Sequence, residues 1–119
     1  MISTKVHGYI DFMTGALLVL LPLILNIDNF TASTVLIVMG AGVILYSLIT
    51  DYELGLLKIL GMKTHLMIDL IGGAFLIASP WLFGFADSIY LPFVIIGIAE
   101  IGVSLLTEKK ASYPGREKS

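Results

Sequence analysis

Four apolar stretches, roughly residues 8–25, 31–50, 66–84 and 89–106, take up most of this 119-residue chain. Each approaches the ~20 residues that carry an α-helix across a ~30 Å hydrocarbon layer at ~1.5 Å per residue. The chain is 57% hydrophobic and only 13% charged, against about 25% charged in a typical soluble domain. A soluble domain this small leaves too much surface exposed to hide so many apolar side chains, so lipid is the expected solvent. The two-residue alternation of barrel strands is absent, which leaves helices as the spanning elements. The expected fold is an all-α membrane protein, a bundle of four transmembrane helices. The first stretch is too long for a signal-peptide core and no A-x-A site follows it, so it reads as a retained span. The chain has no cysteine, which excludes disulfides, thiolate ligation and thiol redox chemistry.

Charge placement sets the orientation. Four spans put Lys5, Lys58, Lys63, Lys109, Lys110, Arg116 and Lys118 in the two tails and the middle loop, on one side. The loops at 26–30 and 86–88 hold Asp28 and Asp87 and no basic residue. The positive-inside rule then predicts a multi-pass membrane protein with both termini and the middle loop cytoplasmic. The basic clusters are thin beside typical lipid-binding patches, and no nucleic-acid partner is expected. The segment "DYELGLLKILGMK" (51–63) is too short to span. Its leucines interleaved with charges suit a short interfacial helix, which Gly55 and Gly61 weaken. The polar end "EKKASYPGREKS" reads as a solvated tail with a Pro-Gly turn.

The chain repeats itself. A shift of 58 aligns Lys5 with Lys63, His7 with His65, Asp11 with Asp69, Gly15 with Gly73 and Pro22 with Pro80. A shift of 57 then aligns Gly40 with Gly97, Ser47 with Ser104 and Thr50 with Thr107. Composition bias explains matched leucines but not matched histidines, aspartates and prolines. The expected organisation is a first two-helix repeat (1–50), an interfacial linker (51–62), a second repeat (63–107) and a cytoplasmic tail (108–119). Two spans per unit make the repeats parallel, related about the membrane normal.

The stretch "THLMIDLIGGAFLIASPWLFGF" resembles the signature of the SPW repeat family, small bacterial integral membrane proteins with Ser-Pro-Trp in the first helix of a two-helix unit. The second unit carries Ser79-Pro80-Trp81, whereas the first keeps only Pro22, between Leu21 and Leu23. The resemblance implies a membrane protein of two-helix repeats and no assigned activity.

Residues four apart share a helix face. His7, Asp11, Gly15 and Pro22 therefore form one stripe, and His65, Asp69, Gly73 and Pro80 its twin. A lipid-facing aspartate costs up to ~3 kcal/mol, so both stripes should face the bundle interior. Each aspartate is expected near a helix start, helped by the dipole and by hydrogen bonding to its own histidine. Pro22 and Pro80 should each interrupt a backbone bond and kink the helix, with Ser79 re-satisfying a carbonyl and Trp81 anchoring at the interface. Gly15, Gly40, Gly73 and Gly97 are expected at close helix contacts. Glu100 breaks the repeat, standing where the first unit has Val43. It lies at about the depth of Asp11 and Asp69, so the candidate polar cluster is His7, Asp11, His65, Asp69 and Glu100. Three carboxylates in low dielectric should retain a proton or bind a cation. Mixed histidine and carboxylate ligands would suit a divalent transition metal as cofactor, although the H-x-x-x-D spacing does not identify one.

Three functional classes follow. The favoured one is a non-catalytic component in the lipid bilayer, binding copies of itself or a membrane-protein partner. The alternative is proton or divalent-cation handling through the cluster. A membrane enzyme on lipid-like substrates is the third, lacking any recognisable nucleophile motif, and no catalytic residue is assigned.

Overall fold

The structure, a computed structural model, describes residues 1–111. Among them the chain forms four helices: α1 (Thr4–Ile24), α2 (Phe30–Leu48), α3 (Met62–Leu82) and α4 (Leu91–Leu105). Short turns fold α1 onto α2 and α3 onto α4, giving two helical hairpins side by side. The Pro-Gly turn, Arg116 and Lys118 of the expected tail lie outside the described residues.

α1, α2 and α3 are long and apolar enough to cross a membrane. α4 is equally apolar, but its 15 residues rise only about 22 Å. Pro92 in its first turn accounts for the late start, since proline suits a helix opening and disfavours helix in the residue before it. The bundle buries its polar side chains beside an apolar centre and turns large apolar side chains outward. Met13, Leu45 and Ile71 are 72%, 65% and 63% exposed, whereas His7, Asp11 and His65 are 0% exposed. Water would penalise that distribution heavily, and a hydrocarbon surround favours it.

Within each hairpin the backbones touch through a pair of glycines. A Cβ on Gly40 would sit 2.6 Å from the Gly15 carbonyl oxygen, and one on Gly97 would sit 2.6 Å from that of Gly73. Between the hairpins, Leu18, Leu36, Leu76 and Phe93, at repeat-equivalent positions, form the buried apolar centre.

The repeat extends to the turns. Pro22 and Pro80 stand in the last turns of α1 and α3, so the lost backbone bond coincides with the helix end. Their carbonyls accept from Ile27 N–H at 2.9 Å and Phe85 N–H at 2.8 Å. Equivalent residues with positive φ, Asn26 at 50° and Gly84 at 76°, close both turns as C-terminal helix caps usually do.

At the opposite end the repeats close on each other. Ile2 N–H donates to Leu106 O at 2.8 Å and Glu108 N–H to Ile2 O at 2.9 Å. Fifty-odd residues away, Leu60 N–H donates to Ile49 O at 2.8 Å and Asp51 N–H to Leu60 O at 2.6 Å. Ile2 thus meets residues 106–108 as Leu60 meets residues 49–51, and this pairing displaces the interfacial helix expected at 51–63. Residues 51–61 are non-helical. Their N–H groups serve the end of α2 instead, with Leu56 and Leu57 both donating to Leu48 O.

The two aspartates sit deeper in their helices than the sequence suggests. Ser3 caps α1, its side chain accepting from Val6 N–H at 3.2 Å, so α1 begins at Thr4 and α3 at Met62. Neither has an acidic residue in its first turn. Asp11 and Asp69 lie about 10 Å in, beyond the reach of the terminal dipole, and need other support.

Candidate functional site

That support is a buried ring of four side chains. His7 Nε2 lies 2.7 Å from Asp69 Oδ2, and His65 Nε2 lies 2.7 Å from Asp11 Oδ2. The contacts within each helix are longer, 3.1 Å for His7 with Asp11 and 3.3 Å for His65 with Asp69. The shortest bonds therefore cross between repeats, where the sequence suggested pairing within a helix. All four side chains are buried, at 0–1% exposure.

Two threonines hold the outer nitrogens. His7 Nδ1 lies 2.8 Å from Thr107 Oγ1, and His65 Nδ1 lies 2.7 Å from Thr50 Oγ1. Each hydroxyl donates its one proton to a carbonyl a turn back, Val103 O and Tyr46 O, both at 2.6 Å. A threonine hydroxyl has one proton to give, so Nδ1 of each histidine must be the donor to it. That fixes both imidazoles with Nδ1 protonated and Nε2 turned to the carboxylates. Two acceptor-rich groups 2.7 Å apart need a proton between them, so the ring holds two shared protons, one per crossed contact.

The symmetry fails on the outer carboxylate oxygens. Tyr46 donates to Asp69 Oδ1, but its repeat equivalent is Val103. Asp11 Oδ1 is buried with no nitrogen or hydroxyl donor on it. Glu100 is buried beside both aspartates, with its carboxyl within hydrogen-bonding reach of Asp11. Of the five predicted cluster residues, four close the ring and Glu100 stands beside it. A cleft of about 440 Å³ between α2 and α3, walled by Val38, Met39, Ile71 and Phe75, reaches Tyr46, Asp69 and Glu100 from the lipid side.

Ser79 is buried and donates to Phe75 O at 2.6 Å, rather than to Leu76 O, the carbonyl freed by Pro80. Trp81 is exposed, its ring centroid 5.7 Å from that of Tyr90. Thr50 and Thr107 were visible in the sequence as a repeated pair on the right stripe, and their role needed only the histidines to be placed. Tyr46 left no such trace.

Tyr52 covers the ring from the loop side, its ring centroid 5.8 Å from that of His65. Its hydroxyl is buried without a partner, and burial pushes the phenol up to about 12. Folding therefore favours the neutral phenol: this contribution is intact below about pH 10 and is lost as pH rises from there towards 12. Tyr52→Phe should leave stability at neutral pH unchanged or raise it by up to ~1 kcal/mol, and should remove that alkaline loss. Denaturation followed between pH 9 and 12 in both proteins checks this.

A family model described as the SPW repeat domain matches residues 5–107. No curated protein and no solved structure matches the chain.

Proposed function

Because the chain belongs to the SPW repeat family, we propose that it is a non-catalytic component of the bacterial inner membrane, acting through assembly with copies of itself or with a membrane-protein partner. The observation that carries this reading is the crossed ring. Both nitrogens of each histidine are engaged by other side chains of the protein, so the polar groups join the two repeats rather than stand ready for a substrate. A bundle locked in this way presents its outer apolar faces in a fixed relation.

The orientation is part of the proposal. Lys5, Lys58, Lys63, Lys109 and Lys110 flank the end where Ile2 pairs with Leu106 and Glu108, and Asp28 lies at the other. The chain has no cysteine, so single replacements report cleanly. In intact cells, Asp87→Cys should react with an impermeant maleimide and Lys109→Cys should not; the reverse pattern overturns the topology. Native mass spectrometry from lipid nanodiscs should show a species larger than one chain, and a lone protomer with no co-purifying partner would count against assembly.

Proton or divalent-cation handling is a second reading, favoured by the buried Glu100 and Asp11 carboxyls lying against each other. It predicts ion flux into liposomes that Glu100→Gln abolishes. The assembly reading predicts no flux and a Glu100→Gln protein that assembles normally.

A further inference from the structure

We infer that the ring is a binding site for one divalent transition-metal ion, held by Nε2 of His7 and His65 and by one carboxylate oxygen each from Asp11 and Asp69. The inference uses the cluster of the second reading but requires neither flux nor assembly.

Donor type comes first. Two imidazoles with two carboxylates make a nitrogen and oxygen set suited to zinc, cobalt, iron or manganese, whereas magnesium and calcium prefer oxygen alone. The tautomer is already the one a metal needs. Nδ1–H is given to a threonine on each side, which leaves the Nε2 lone pair facing inward.

Distances come next. All four donor atoms lie within 4.8 Å of one another. Neighbouring nitrogen and oxygen atoms around the ring are 2.7, 3.1, 2.7 and 3.3 Å apart. A tetrahedral ion with bonds of about 2.0–2.1 Å separates its ligands by about 3.3–3.4 Å. One of the four separations is already close to that, and the two crossed ones need to open by about 0.6 Å. Small side-chain rotations supply such a movement.

Charge balance also agrees. Two shared protons carry the same charge as one divalent ion, so M²⁺ replaces two H⁺ without changing the net charge of a buried site. That matters where uncompensated charge is heavily penalised. The site also has the outer partners that metal-binding histidines and carboxylates normally need: Thr50 and Thr107 orient the imidazoles, and Tyr46 orients Asp69. Asp11 Oδ1, fully buried with no nitrogen or hydroxyl donor on it, is a second oxygen through which Asp11 could bind in two-point fashion. An acidic cluster alone would show none of these features.

The test uses tag-free, chelator-stripped full chain in nanodiscs, titrated with Co²⁺. The expected result is one Co²⁺ per chain with visible d–d absorption, displaced by Zn²⁺. His7→Gln should abolish the absorption. Should that variant not fold, Thr107→Val leaves all four ligands in place and should weaken Co²⁺ binding by about 10–100-fold. Wild-type protein that takes up no Co²⁺ at sub-millimolar concentration overturns the site. So does Co²⁺ bound equally by wild type and by either folded variant. Neither result bears on topology or assembly.

Discussion

Asp69→Leu is expected to destabilise the bundle by about 3–5 kcal/mol, the cost of removing one partner from a buried charged contact. The loss is large because of what stays behind. His7 Nε2 loses its closest partner while buried, and Tyr46, half-buried in an apolar cleft, loses its acceptor. A neutral hydrogen bond between membrane helices contributes about 0.6 kcal/mol on average, so the two cases separate clearly. Unfolding driven by SDS in mixed micelles measures the difference. A loss below about 1 kcal/mol would show that the ring acts as ordinary neutral hydrogen bonds. Double-mutant cycles sharpen the result. His7 should couple more strongly to Asp69, at 2.7 Å across the repeats, than to Asp11, at 3.1 Å on its own helix. The opposite order would mean that each helix satisfies itself and that the repeats are not clasped.

That crossing is the feature the sequence could not reveal. Shift alignment gave the two stripes and their burial, because a histidine and an aspartate four apart share a face and avoid lipid. It could not say which histidine meets which aspartate, since that depends on how closely α1 and α3 approach and how they are rotated. Thr50 and Thr107 were legible as a repeated pair, but Tyr46 was not: it aligns with Val103, and a lone tyrosine in an apolar helix reads as packing. The middle segment misled for a different reason. Its interleaved leucines and charges satisfy an amphipathic pattern, while its backbone donors are drawn to the open carbonyls at the end of α2. Local patterning carries no information about that competition. The dipole argument failed through a shift of four residues at each helix start, set at α1 by Ser3 and worth a full turn.

Gly97→Ala is expected to destabilise the protein by about 1–3 kcal/mol, although alanine is the better helix former by about 1 kcal/mol. The added methyl would meet the Gly73 carbonyl oxygen at 2.6 Å and Ile77 Cγ1 at 2.6 Å. The isoleucine can turn aside, but the carbonyl belongs to a helix backbone and can move only if α3 and α4 part. Gly102 is the internal control, on the same helix with open space where its Cβ would be. There the propensity term acts alone, and Gly102→Ala should stabilise by up to ~1 kcal/mol. Two identical chemical changes five residues apart should thus have opposite signs in the same SDS unfolding assay. Equal effects would mean that the hairpin is not in backbone contact. The consequence reaches the ring, because Thr107 lies two residues beyond the end of α4 and orients His7. Parting α3 from α4 moves that threonine relative to the imidazole it holds. Gly97→Ala should therefore also weaken Co²⁺ binding, whereas Gly102→Ala, which leaves the helix spacing alone, should not.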